Sequence, residues 1–201
     1  MSIIVKGSSM AVLSSRRMPV RERIIPAADA LFRNHGFRRV TVDMIAERAN
    51  TTKMAVYRHF ESKDALVLEW LDREIASYSS VLDRLALALP GAPLAQLEGW
   101  VSAIADGLPG LSHRGCPFVN SLAELPEADD PARQRIETHK ARQAQRILDL
   151  CQRAGLPEPE LACAQIVFLT EGAQVTAQNG SLPRIAASLK AAAKSVLQPR
   201  R

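Results

Sequence analysis

Apolar residues recur along this chain at intervals of three and four. They occur in runs separated by Gly, Pro and Asn, and nowhere do they alternate as in a half-buried strand. Over 20–35, Ile24, Ala27, Ala28, Leu31 and Phe32 form one face of a helix that Gly36 ends. Pro26 lies within that run and removes a backbone donor, so a kink or a late helix start near Ile25 is expected. Two short helices follow. The first spans 42–48, with Ile45, Ala46 and Ala49 at helical spacing, and the second spans 53–60, with Val56 and Phe60 four apart. Thr41 and Thr52 are placed to cap them. Asn50 stands where the chain must turn between them, in a conformation that Asn tolerates better than any residue but Gly. Ser62 is placed to cap the next helix, over 66–89, and further helices are expected over 93–108, 132–154, 160–178 and 183–197. The least regular stretch is 111–131. The fold class is therefore all-α: an N-terminal helix-turn-helix unit and a larger helical body.

The second short helix carries the chemistry. With Val56 and Phe60 inward, Thr52, Lys53, Met54, Tyr57, Arg58 and His59 lie mainly on its outer side. Hydroxyls, a helix start and cations suit a phosphate backbone, and such a helix can enter a major groove. The run RERIIPAADALFRNHGFRRVTVDMIAERANTTKMAVYRHFESKDAL resembles the DNA-binding domain of the TetR (tetracycline-repressor) family of bacterial transcriptional regulators. The features that carry the likeness are LFRNHGF, the Thr that opens the next helix, IAERA, the Thr-Lys start of the recognition helix, and YRHFESKDAL. The resemblance implies phosphate contacts from Thr41, Lys53, Tyr57, His59 and Lys63, and base reading by Thr52, Met54 and Arg58. The chain departs from the family's pattern at Asn50, where Gly is usual, and at Met54, where a small residue is frequent. A thioether there touches a thymine methyl or limits the approach to the bases.

Charge sharpens this picture. Residues 1–63 carry twelve Lys and Arg against five Asp and Glu, whereas 64–201 carry fourteen against sixteen. The whole basic excess sits with the helix-turn-helix, as in a polyanion-binding head on a neutral body, although Lys and Arg also simply solvate small domains. Residues 1–18 are expected to form a flexible basic arm, 19–64 the DNA-binding domain, and 65–201 the effector-binding and dimerisation domain. Arg16, Arg17, Arg21 and Arg23 either reach phosphates or the minor groove, or belong to a solvated tail. Met10 and Met18 are alternative start sites. The first segment has its charges in the wrong order for a signal peptide, and no apolar run approaches the roughly 18 residues of a membrane span. A cytoplasmic bacterial protein is expected. Three cysteines without C-x-x-C spacing support neither a disulfide framework nor a zinc site, and no cofactor is expected.

In the body, the segment 160–178 is apolar or small on nearly every side, and 183–197 has one apolar face. Two such helices meeting their symmetry mates form a four-helix homodimer interface, which the TetR resemblance also implies. A large intramolecular core is the alternative. His139 and Gln143 interrupt the apolar stripe of 132–154, facing either a polar pocket or solvent. The candidate pocket residues are Trp70, Tyr78, Trp100, Cys116, Phe118, Asn120, Glu124, His139 and Phe168. Helix register does not separate pocket from core, and core packing is the ordinary role of each aromatic. GCPFVNSLAEL looks like a segment of one TetR branch. Pro117 in the first turn would put Cys116 at a helix N-terminus, as a reactive sensor or as a small packing residue. His113 and Arg114 are read as a solvated turn. The functional expectation is a homodimeric repressor that binds an inverted-repeat operator and is released by an unknown small-molecule effector. Its competitors are an effector-independent architectural protein or activator and, remotely, a cysteine hydrolase using Cys116 with His113 or His139.

Overall fold

A computed structural model describes residues 18–110 and 115–198. Among the described residues the secondary structure is helical, with no strand. The helices are α1 (Val20–His35), α2 (Val42–Arg48), α3 (Lys53–His59), α4 (Lys63–Ala88), α5 (Pro93–Gly107), α6 (Pro117–Glu124), α7 (Pro131–Arg153), α8 (Pro159–Asn179) and α9 (Ile185–Leu197). The chain divides into two compact units, one ending at Trp70 and the other beginning at Leu71. The division falls inside α4. No helix among the described residues is long and apolar enough to cross a membrane.

The N-terminal unit closes on Ile24, Ala28, Phe32, Val40, Ile45, Val56 and Leu66, all buried. All but Val40, which lies in the loop between α1 and α2, are 3.6-period positions of α1 to α4, and their burial holds two seven-residue helices that could not persist alone. Pro26 brings no late start, because α1 runs from Val20 through it. Pro26 and Glu22, the residue whose carbonyl loses its partner, both face solvent, which leaves that carbonyl open to hydration. Gly36 ends the helix with φ 76° and donates its N–H to the Phe32 carbonyl at 2.9 Å.

The turn between α2 and α3 is closed by Asn50, at φ 50°. Its carbonyl and that of Ala49 accept hydrogen bonds from Arg23 Nη1 at 2.7 and 2.9 Å. Lys63 acts similarly on the loop between α1 and α2, donating from Nζ to the carbonyls of Phe37 at 3.0 Å and Val40 at 3.3 Å. Each cation satisfies two carbonyls that the turning backbone leaves without helical partners.

In the C-terminal unit, α5, α7, α8 and α9 surround a core that includes Leu97, Trp100, Val101, Ile147, Cys151, Ile166, Leu189 and Leu197. Proline opens α5, α6, α7 and α8, where its missing N–H costs nothing. Asp130 caps α7, accepting from the Ala132 N–H at 2.7 Å. Gly180 ends α8 in the left-handed region, and Arg184, at φ 57°, delays the start of α9 to Ile185. The short helix α6 packs on α7 through the fully buried Phe118.

Because Asn50 alone absorbs the left-handed turn, Asn50→Gly should leave thermal stability nearly unchanged. Asn50→Val should lower it by about 1–2 kcal/mol, as read by thermal denaturation of the full chain.

Candidate nucleic-acid interface and ligand cavity

In the N-terminal unit the side chains expected on the outer side of α3 are exposed: Thr52, Lys53, Met54, Tyr57, Arg58 and His59. Met54 is 73% accessible, so its thioether is open to a partner surface. Both threonines hold their helices from the N-terminus. Thr41 Oγ1 accepts from the Met44 N–H at 3.3 Å, and Thr52 Oγ1 accepts from the Ala55 N–H at 3.1 Å. Each hydroxyl keeps its proton to donate outward, so capping and phosphate contact are compatible. Lys53 Nζ lies 2.9 Å from Asp43 Oδ2. This hydrogen bond and the Asp43 charge hold the ammonium's pKa above its ordinary value.

Three cations are employed differently from the sequence expectation. Lys63 is half-buried, with its ammonium turned to the Phe37 and Val40 carbonyls. Arg23 clamps the α2–α3 turn, and Arg21 pairs with Glu69 and lies 5.3 Å over the Phe60 ring. Arg21 and Arg23 are thus parts of the folded head rather than of an arm, since α1 already begins at Val20. Arg16, Arg17, His113 and Arg114 lie outside the described residues.

In the C-terminal unit a half-open cavity of about 450 Å³ lies between α4 and α7. Ile75, Tyr78 and Leu82 line one side, and His139, Arg142 and Gln143 the other. The interruptions of the α7 stripe by His139 and Gln143 therefore face a pocket. Phe118 stands behind it, 5.0 Å from the Tyr78 ring and 4.7 Å from the His139 ring. His139 is only 5% exposed, and its Nε2 has no hydrogen-bond partner. Burial, assisted by the neighbouring Lys140 charge, pushes its pKa down to about 4, so the imidazole is neutral at physiological pH.

The other candidates divide. Asn120 and Glu124 are half-buried on α6. Cys116 is the N-cap residue of α6, but it is buried and makes no side-chain capping bond. Trp70 belongs to the N-terminal unit, where its indole N–H donates to Asp29 Oδ1 at 2.9 Å and its ring meets Phe32 edge-on at 5.4 Å. Trp100 is a core residue of the body, and Phe168 is 73% exposed on α8. None of these three lines the cavity, because an aromatic at helical spacing can serve any surface its helix meets. Cys151 and Cys163 are buried as well, and burial raises the Cys151 thiol to about 11. Among the described residues no group of three or more His, Cys, Asp or Glu is placed to hold a metal ion. Sequence reasoning missed Arg142 and Asp43, whose only signal was ordinary surface charge.

The family profile described as "Bacterial regulatory proteins, tetR family" matches residues 24–70, the segment that builds the helix-turn-helix. The chain is 27% identical over 124 residues to the HTH-type transcriptional repressor DhaR of Mycobacterium sp. (strain GP1), covering 60% of this chain and 59% of that protein. It thus spans well under two thirds of that relative. It is 27% identical over 150 residues to the HTH-type transcriptional repressor SCO4008 of Streptomyces coelicolor, covering 70% and 71% of the two chains. The crystal structure of SCO4454, a TetR-family transcriptional regulator from Streptomyces coelicolor, superposes with a TM-score of 0.82 at 25% identity, covering 89% of this chain and 94% of that one. Residues 24–70 therefore carry a DNA-binding domain of the tetR regulatory family, and the chain shares the fold of a solved regulator of that family.

His139 makes stability depend on pH. Its folded pKa lies below the ordinary 6.5, so between about 6.5 and about 4 the unfolded chain binds the extra proton. Stability should fall as pH drops through that window, by about 3 kcal/mol at most, and His139→Gln should flatten that part of the profile. Urea unfolding at fixed protein concentration across pH 4–7 (about that range) measures it.

Proposed function

We propose that this chain is a homodimeric, ligand-responsive transcriptional repressor whose α3 enters the major groove of an inverted-repeat operator. The observation that carries this reading is the outer face of α3. A Thr-capped helix start, Lys53, Arg58 and His59 stand exposed around an equally exposed Met54, within the segment that matches the family profile. Regulators of this family bind DNA operators, typically as dimers. Thr41, Lys53, Tyr57 and His59 are assigned to phosphates, and Thr52, Met54 and Arg58 to base edges. Lys63 is assigned to placing the loop before α2, with any phosphate contact secondary, because its ammonium already serves two carbonyls.

The dimer interface is assigned to α8 and α9. Leu161, Phe168 and Val175, seven residues apart along α8, are all exposed. Gly172 beside them has open space around the position of a Cβ, so a partner helix could approach closely there. A two-fold arrangement sets half-sites about 34–36 Å apart or at a multiple of that distance. An effector in the α4–α7 cavity would favour a head spacing that fits the operator poorly, with a coupling of ~1–3 kcal/mol. The same cavity favours this reading over an effector-independent architectural protein or an activator. The hydrolase reading draws no support from Cys116, which is buried.

Selection of bound duplexes from random DNA tests the reading as a whole: it should recover an inverted repeat, and indifference to all duplexes at low salt rejects the proposal. On the selected site, Lys53→Ala should reduce the slope of log affinity against log salt by about one. Asp43→Asn, which frees Lys53, should raise affinity for all sequences. Phe168→Glu should shift the chain toward monomer in sedimentation at micromolar concentration, and an unchanged dimer rejects α8 as the interface.

A further inference from the structure

The α4–α7 cavity has an electrostatic character of its own. Arg135, Arg142 and Arg146 from α7 all reach its lining, and Asp72 is the acidic residue there. Arg135 pairs with Asp72. Arg146 pairs with Asp83 at 2.7 Å. Arg142 has neither an ion pair nor a hydrogen bond among the described residues. One guanidinium at the cavity therefore keeps its planar fork of donors unused, which is the geometry that receives a carboxylate through two parallel hydrogen bonds.

The opposite wall is apolar. Ile75, Tyr78 and Leu82 offer a surface for a flat or aliphatic body, and at its inner end the Tyr78 ring meets those of Phe118 and His139 edge-on. Within that end His139 Nε2 is buried with no partner. A buried polar nitrogen in a built cavity asks for a bound hydrogen-bonding group. The volume suits a single small molecule.

From this arrangement we infer that the cavity takes an amphipathic monocarboxylate, with its carboxylate on Arg142, its apolar body against Ile75, Tyr78 and Leu82, and a polar substituent or second oxygen met by His139. A cationic ligand is disfavoured by the three arginines. A dianion such as a phosphate monoester would leave one charge without its own free cation, since the other two arginines are already paired. The inference deepens the effector-site part of the proposed function and rests on it.

Calorimetric titration of the full chain without DNA tests it directly. The probes are 4-phenylbutyrate and 1-naphthylacetate, each with its primary amide and its matched alkylamine. The acids should bind at least about tenfold more tightly than the amides, and the amines not at all. Arg142→Gln should bring the acid down to the affinity of the amide while leaving the amide unchanged. Arg142→Lys should retain part of the difference. Because Arg142 is exposed, these variants should melt with the parent chain, which circular dichroism checks. Amides binding as tightly as acids, amines binding more tightly, or no acid binding at millimolar concentration overturns the inference. Operator release measured in parallel separates the two claims. Acid binding without release removes the effector role and leaves the site. Release by neutral compounds alone leaves the regulator and removes the carboxylate.

Discussion

The head depends on how two cations answer four backbone carbonyls. A helix-turn-helix is two short helices whose mutual angle is set by a few turning residues, and seven-residue helices have little stability of their own. Here the turn leaves the carbonyls of Ala49 and Asn50 pointing away from any helix, and Arg23, from α1, holds both. Lys63, from the start of α4, holds the carbonyls of Phe37 and Val40 in the preceding loop. The two loops that aim α2 and α3 are thus pinned from opposite ends of the head. This fixing has a cost, since Arg23 Nε is buried without a partner, and it persists because the two carbonyls that Arg23 satisfies outweigh one lost donor bond.

That division of labour also explains which cations remain for a polyanion. The basic excess of residues 1–63 is not spread evenly over an outward surface: Arg21, Arg23 and Lys63 face their own fold. Lys53 is held by Asp43, an exposed pair that contributes little to stability and breaks readily when a phosphate competes. The acidic partner therefore acts as a placeholder that keeps a long, flexible side chain near the start of α3. On the proposed DNA face, the positive end of α3 and its Thr52 cap add to the exposed side-chain cations Lys53 and Arg58.

How much could be read beforehand follows from the range of each interaction. The limits of α2, the left-handed Asn50, the caps at Thr41, Thr52 and Ser62 and the prolines that open α5 to α8 are local facts, encoded within four residues of where they act. The roles of Arg23 and Lys63 are not local. Their partners lie 23 to 27 residues away, and nothing at position 23 or 63 distinguishes a clamp from a solvated charge. The aromatics fail for a related reason. Trp70 and Tyr78 stand two turns apart on one helix, yet the first completes the core of the N-terminal unit and the second lines a cavity in the other. Periodicity states that a side chain is turned inward but not which interior it enters. His139 and Gln143 were legible as interruptions of the α7 stripe, because a polar residue on an inner face needs a reason to be there.

The surface of α8 follows the same logic. Its inner face is built from the large Ile166 and from Ala162, Cys163, Thr170, Ala173 and Gln174, small or polar residues that let the helix sit close to its neighbours. Thr170 returns its hydroxyl proton to its own helix, where the Ile166 and Val167 carbonyls lie at 2.9 and 3.0 Å, so its burial leaves no unmet donor. Leu161, Phe168 and Val175 are on the other side. A helix that only filled the core of one chain would reverse this distribution, with Phe168 and Leu161 inside and the small residues out. Placing them at intervals of seven in solvent forfeits about 1.5–3 kcal/mol for each side chain that could have been buried. That arrangement is reasonable where a second surface covers the stripe. The seven-residue spacing also fits a partner helix crossing at a shallow angle better than a compact pocket.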